Sequence, residues 1–375
     1  MRVITFRSRL VLAGVGMVAF AAGLMFVTWL SIAPTEERTR MYATLPDPRE
    51  MAGKQRIFVS GHSLTSRTML NDLQEIAAAS GLATSWEGQL ADGSSIRDRS
   101  LGQDPSRRWS GFEHGQRADG SPADVQAILK SAVENGDRFE ALLITEQHRV
   151  LDSLVWQGTK QYLRAYRDAF TTLNPQADVL FFTPWIDLSD KDDPTEWIAY
   201  ERAAWPVWKC IVADVNQGIE VGGNRAIRMI PASLALAELV EHLKDNPDQP
   251  GFEGRRGSDL TDTLFSDRVH LTPLGSRFVA AVTAAVLYGG LPSEQPPDNV
   301  PADQARTVQK FAANFVDEIR RKEPTFGAEC GRTVGWAFAS HYTGYIEKTY
   351  NRSEMGFVRA KLRRMIDFLR FAQAS

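Results

Sequence analysis

From Arg56 to Leu243 short apolar runs alternate with stretches of helical periodicity, and this constrains the fold more than anything else in the chain. The runs are Ile57-Phe58-Val59, a weaker one near Ala83 to Trp86, Ala141 to Thr145, Val179 to Thr183 and Ile227 to Ile230. Each is too short for a helix and rich in residues that favour a pleated, buried surface. Between them lie amphipathic segments: one from about Arg67 with Met69, Leu70, Leu73 and Ile76 on one face, then Ala123 to Asn135, and a third from about Leu154 that stops at Asn174-Pro175. Two more span roughly Thr195 to Asn216 and Leu234 to Leu243, separated by a turn at Gly222-Gly223-Asn224, and a last one covers Phe278 to Leu287. Strands separated by helices pair in parallel through right-handed crossovers, and a parallel sheet needs both faces covered. The expectation is an α/β fold, a three-layer sandwich. The polar stretch from Glu87 to about Ser121 reads as a long loop, functional or disordered.

Both ends of the chain differ from this core. Leu10 to Ala33 is apolar without a single charge and exceeds twenty residues, long enough to span a bilayer as a helix. Arg2, Arg7 and Arg9 precede it, which leaves the N-terminus in the cytoplasm and exports the chain beyond Ala33. Ser31-Ile32-Ala33 has the small residues of a cleavage site, but Pro34 would stand directly after the cut, so an uncleaved signal-anchor is the preferred expectation. Residues 34–54 read as a tether and 55–293 as the main domain. From about Glu294 the character changes: Pro296, Pro297 and Pro301 mark a hinge. Val308, Phe311, Phe315, Val316 and Ile319 then keep helical spacing, as do Met355, Val358, Leu362, Met365, Ile366 and Leu369. Residues 294–375 are expected to form a helical extension whose basic last helix packs on the main domain with its charges in solvent, contact of Arg352, Arg359, Lys361, Arg363, Arg364 and Arg370 with anionic lipid or polysaccharide being the competing expectation.

The chemistry-bearing stretches lie at the two ends of the main domain. Gly61-His62-Ser63-Leu64 follows the first strand, where a sharp turn into a helix presents its residues at the carboxyl edge of the sheet. Asp267-Arg268-Val269-His270-Leu271-Thr272 stands just before the last helix. A serine hydroxyl needs a base, histidine suits that task near neutral pH, and a carboxylate fixes the imidazole tautomer. Asp267 and His270 share one short segment that can point both side chains at Ser63. The turn is not the nucleophile elbow of α/β-hydrolases, because Thr65 stands where Gly-x-Ser-x-Gly needs its second glycine. His62 is taken as a local hydrogen-bonding residue, not the base.

In this order and separation, Gly-His-Ser-Leu and Asp-x-x-His-Leu-Thr resemble the SGNH/GDSL hydrolases over roughly residues 55–290. The resemblance implies a flavodoxin-like parallel sheet between helical layers, Ser63 as nucleophile, His270 as base and Asp267 as its orienting residue. It also implies an oxyanion hole built from the Ser63 backbone N–H, a glycine after the second strand and an asparagine after the third. Gly93 is the candidate glycine, with Gly102 in reserve. At the third position the sequence departs from the family, with Thr145-Glu146-Gln147-His148 in place of Gly-x-Asn-Asp. Gln147, or a backbone N–H beside it, is expected to complete the hole, since an ionised glutamate cannot donate. Three roles stay open for Glu146: a protonated acid, a substrate contact, or the partner of an arginine such as Arg97. Trp185, after the fourth strand, is a candidate wall of the substrate pocket, whereas Trp197, Trp205 and Trp208 read as core.

The 43 Lys and Arg against 46 Asp and Glu give a net charge of −3, and no central basic block suggests nucleic acid as a partner. No zinc spacing, Walker loop or dinucleotide fingerprint occurs, so no cofactor or metal is expected. Cys210 and Cys330 either pair outside the cytoplasm or remain two buried thiols. The functional expectation is a membrane-anchored esterase facing the periplasm or cell exterior, acting on O-acyl, chiefly O-acetyl, esters of carbohydrate or lipid. An O-acyltransferase on envelope polysaccharide and an inactive glycan-binding protein are the competing expectations.

Overall fold

Five strands fall at or within a few residues of the apolar runs: β2 (Lys54–Gly61), β3 (Ala83–Leu90), β6 (Ala141–Thr145), β7 (Asp178–Phe182) and β8 (Ile227–Ile230). The computed structural model describes residues 40–43, 54–101, 115–117, 119–217, 226–289, 300–322, 326–330 and 334–373. The Leu10–Ala33 run, most of the expected tether, Gly102, the Gly222–Asn224 turn, Pro296 and Pro297 lie outside the described residues. Among the described residues no helix is long and apolar enough to cross a membrane. Arg40 to Ser375 form one compact unit.

The five strands are parallel and stand in the order β3-β2-β6-β7-β8. The chain thus leaves the central β2 in both directions, to β3 on one side and to β6 on the other. In such a doubly wound sheet a crevice opens at the carboxyl ends where the direction reverses. Two short strands extend the β3 edge: β4 (Gly115–Arg117) and β5 (Pro122–Ala123), both antiparallel. Within residues 87–121, expected as a loop, the end of β3, a short helix at Ile96–Ser100 and β4 are regular, and residues 102–114 and 118 lie outside the described residues. Arg117 and Glu87, register partners across β3 and β4, are hydrogen-bonded at 3.1 Å.

Side chains alternate between the two faces of the sheet, and each face meets its own helices. Phe58 packs on Phe170 of the Thr159–Leu173 helix, and Phe181 on Trp208 of the Thr195–Asn216 helix. Across the sheet, Trp86 donates to Asn71 of the Arg67–Ala79 helix, and Thr84 pairs with Tyr288 at the end of the Pro273–Tyr288 helix. Trp197, Trp205 and Trp208 are buried, as core residues should be. The Pro273–Tyr288 helix starts from a Thr272 cap on the Gly275 N–H with Pro at its first turn, and nearly all of it is buried.

The tail is largely helical, with helices at Ala302–Lys322, Trp336–Ile346 and Phe357–Phe371. It also carries β9 (Phe326–Glu329), antiparallel to β1 (Arg40–Ala43) at the start of the compact unit. Cys330, directly after β9, is disulfide-bonded to Cys210 of the Thr195–Asn216 helix, 120 residues away. The tail packs on the carboxyl edge of the sheet: Tyr342 donates to Asp152 at 2.5 Å, and Tyr345 to the Asp187 carbonyl at 2.7 Å.

Candidate active site

At the end of β2 the chain turns so tightly that only glycine fits at position 61. A Cβ there would stand 1.8 Å from the Thr65 hydroxyl and 3.4 Å from the Thr145 methyl. His62 comes next in extended conformation and caps the single helical turn Ser63–Thr65. Its Nε2–H donates to the Glu146 carbonyl at 2.8 Å, and its Nδ1 accepts the Leu64 N–H. Burial, reinforced by the charge of Arg99, pushes the His62 imidazole down to about 3. Neutral and with both nitrogens engaged, His62 braces the turn that exposes Ser63.

The second segment arrives from the far end of the domain. One oxygen of Asp267 accepts the backbone N–H groups of Val269 and His270, both at 2.7 Å, which folds the segment into a tight local turn. Its other oxygen accepts His270 Nδ1–H at 2.6 Å, and His270 Nε2 stands 3.1 Å from Ser63 Oγ. Burial pushes the Asp267 carboxyl up. The hydrogen bonds from the His270 ring and the two backbone N–H groups outweigh it and hold the group below the usual carboxylate range. Serine, histidine and aspartate thus form one continuous relay with the distances a hydroxyl nucleophile needs.

The relay segment is tied to the loop after β7. Leu188 N–H donates to the Arg268 carbonyl at 2.7 Å, Arg268 returns a bond to the Leu188 carbonyl at 2.6 Å, and Trp185 Nε1–H donates to the Val269 carbonyl at 2.7 Å. Trp185 is wholly buried. It is among the residues that line the groove beside Ser63 and His270, with its indole N–H spent on the relay segment. The groove beside Ser63 and His270 has a volume of about 1100 Å³, and its walls include Arg67, Asp92, Gln116 and Pro273.

The loops after β3 and β6 hold the remaining candidates. Gly93 sits in a left-handed turn (φ 69°) directly after Ala91 and Asp92, which line the groove. Glu146 is fully buried, away from the groove. Its carboxylate accepts the N–H groups of Ile96 and Gln147 and the Thr159 hydroxyl at 2.8–2.9 Å. Its charge faces buried Arg99 rather than Arg97, whose guanidinium lies over the Tyr162 ring. Arg99 reaches Ser60 Oγ, the Ser94 carbonyl and the Thr145 carbonyl. A buried charge is tolerated only with such compensation, so Glu146 and Arg99 lock the ends of β2, β3 and β6 together, and the Glu146 carboxyl is spent on these contacts. The Gln147 side-chain oxygen accepts the Arg149 N–H and the Ser153 hydroxyl within its own loop.

Sequence reasoning missed His148, Asp187 and Arg99. His148 Nε2 lies 3.4 Å from Asp187, which also accepts the Tyr350 hydroxyl from the tail. Burial pushes the His148 imidazole down to about 4 against the pull of Asp187. The run Thr145-Glu146-Gln147-His148 at a strand end was the available signal for His148; nothing local marked Arg99 or Asp187. Among the described residues no cluster of three or more His, Cys, Asp or Glu could hold a metal ion.

No protein-family model matches the chain, and no curated protein matches it. Two solved structures overlap with it. One is a DUF4886 family protein from Bacteroides uniformis, 13% identical with a TM-score of 0.44, covering 70% of this chain and 95% of its own. The other is described as a GDSL-like lipase from Parabacteroides merdae, 12% identical with a TM-score of 0.32, covering 62% of this chain and 95% of its own. Neither likeness assigns a family. At these scores they carry no argument about activity, which rests on the relay and the groove beside it.

Proposed function

We propose that the chain is an SGNH-type serine esterase that cleaves small O-acyl esters, acetyl before longer chains, from a carbohydrate or lipid. The observation that carries this reading is the unbroken relay from Asp267 through His270 to the Ser63 hydroxyl. His270 Nε2 takes the proton as Ser63 Oγ attacks the ester carbonyl carbon, while Asp267 stabilises the imidazolium. His270 then returns that proton to the departing alcohol oxygen, leaving an acyl-serine. A water, deprotonated by His270, attacks the acyl carbon and frees Ser63 with release of the acid. The backbone N–H of Ser63 and the Asp92-Gly93 turn are the proposed donors to the oxyanion.

The groove supports a second reading. Its open volume of about 1100 Å³ leaves room for an acceptor hydroxyl in place of water, which would make the protein an O-acyltransferase. The Cys210–Cys330 disulfide favours an oxidising compartment, in line with an exported domain held by the Leu10–Ala33 run as its anchor. Fluorophosphonate labelling with peptide mapping tests the common first step. Adduct on Ser63 that is absent from Ser63→Ala and His270→Ala supports acyl-serine chemistry. A folded protein that takes no label overturns it and leaves a glycan-binding role. Release of acetate from acetylated glycan, with and without acceptor, then separates hydrolysis from transfer.

A further inference from the structure

The last helix, Phe357–Phe371, has two apolar sides, and only one is covered. Ala360 and Phe371 turn inward, Phe371 packing edge-on against Tyr342. On the opposite side Val358 is 78% exposed, Leu362 55%, Met365 57%, Ile366 39% and Leu369 54%. Their spacing places them in one continuous stripe along the helix. A contiguous stripe of large apolar residues is an interaction surface rather than ordinary exposure.

Its charge says what it meets. Residues 347–371 hold seven Lys and Arg against three acids. Glu347 is buried among Arg352, Lys361 and Arg364, and Asp367 holds Arg363 at 2.5 Å, so both acids are drawn inward. At 100° per residue Lys361 borders the stripe on one side, and Arg359 and Arg370 border it on the other. No acid lies on the stripe. Apolar side chains edged by cations suit the boundary between anionic headgroups and acyl chains. A second copy of the helix would instead bring like charges together.

We propose that the Phe357–Phe371 helix lies on an anionic bilayer, inserting Val358, Leu362, Met365 and Leu369 at the headgroup boundary. The tail grips the loops after β6 and β7, so docking holds the carboxyl edge of the sheet, with Ser63, close to the membrane. This surface does not depend on what Ser63 does.

The test uses the full chain in lipid nanodiscs, with an environment-sensitive fluorophore on Leu362→Cys or Leu369→Cys and on Lys130→Cys as an exposed reference. The two native cysteines are bonded to each other and leave the label specific. In discs of phosphatidylcholine with phosphatidylglycerol, labels at 362 and 369 should shift to the blue. They should be quenched by a lipid-borne quencher and be severalfold less accessible to iodide than the label at 130, with the effect weakened in phosphatidylcholine alone. Iodide access equal to that at 130 overturns the proposal. So does equal burial in both lipids. Protection without lipid-borne quenching, accompanied by energy transfer between copies, assigns the stripe to a second chain and also overturns it.

Discussion

The indole N–H of Trp185 donates to the carbonyl of Val269 at 2.7 Å, joining the loop after β7 to the residue directly before His270. A buried ring thereby sets the position of the relay without touching it. Trp185→Phe keeps most of the packing and removes the bond. The expected result is a kcat about tenfold lower with KM nearly unchanged, because small displacements of a catalytic base are costly in rate. A KM increase at constant kcat would instead make Trp185 a substrate contact.

Asp267 works through His270 alone, since its second oxygen is spent on two backbone N–H groups. Asp267→Asn would present an amide to a ring nitrogen and favour the wrong tautomer. The expected loss in kcat/KM on an aryl acetate is about 10⁴-fold, with Ser63→Ala and His270→Ala at least as severe. Combining Asp267→Asn with His270→Ala should add little to the single histidine change. Additive losses would mean that the three residues do not act as a unit.

The parts of the fold legible in the sequence are those buried on both faces. Residues 141–144 and 179–182 stand out as continuous apolar runs because helices cover both sides of them. β4 and β5 carry no such mark, being short and partly exposed, and they form only by pairing onto β3. β1 and β9 meet across nearly the whole chain, a contact without local signature. The relay was legible because two of its members share four residues and the third sits at a strand end. The role of Glu146 was not, because the choice between Arg97 and Arg99 depends on which side of a five-residue helix faces the sheet. The bond from Trp185 to the Val269 carbonyl was not legible either, because it joins residues 84 positions apart.

Gln147 and Gly93 separate two versions of the oxyanion hole. The Gln147 carboxamide is engaged in its own loop by Arg149 and Ser153, whereas Gly93 belongs to the turn beside the groove. Gln147→Ala should lower kcat less than tenfold, and Gly93→Ala should lower it more, since alanine is strained at φ 69° and shifts the turn. A loss of about a hundredfold in Gln147→Ala would place its amide on the oxyanion after all.

Glu201 is buried behind β7, where one carboxyl oxygen accepts the Ile186 N–H at 2.7 Å. Burial pushes the group up to about 8 from an ordinary 4.5. Between those values the folded protein keeps the proton that the unfolded chain has released. Stability is therefore fully present below the unfolded value and falls as pH rises towards 8, by up to about 1.4 kcal/mol per pH unit. Glu201→Gln should flatten this slope in urea titrations from pH 5 to 8. An unchanged slope would show that Glu201 is ionised in the folded protein.

The Cys210–Cys330 bond closes a loop of 120 residues that contains β8, the relay segment and the Ala302–Lys322 helix. Loop-closure entropy makes such a bond worth about 5 kcal/mol, less whatever order the reduced chain retains. Cys330→Ser should lower the urea midpoint accordingly. The native interactions of the relay segment, with Ser63, Trp185 and Leu188, all lie away from the bond, so kcat of the folded variant should stay within twofold. Reducing agent should reproduce the loss in the wild type and have no effect on the variant. A large fall in kcat at full foldedness would mean that the tail, through Tyr345 and the loop at Asp187, sets the position of His270 as well as the stability of the domain.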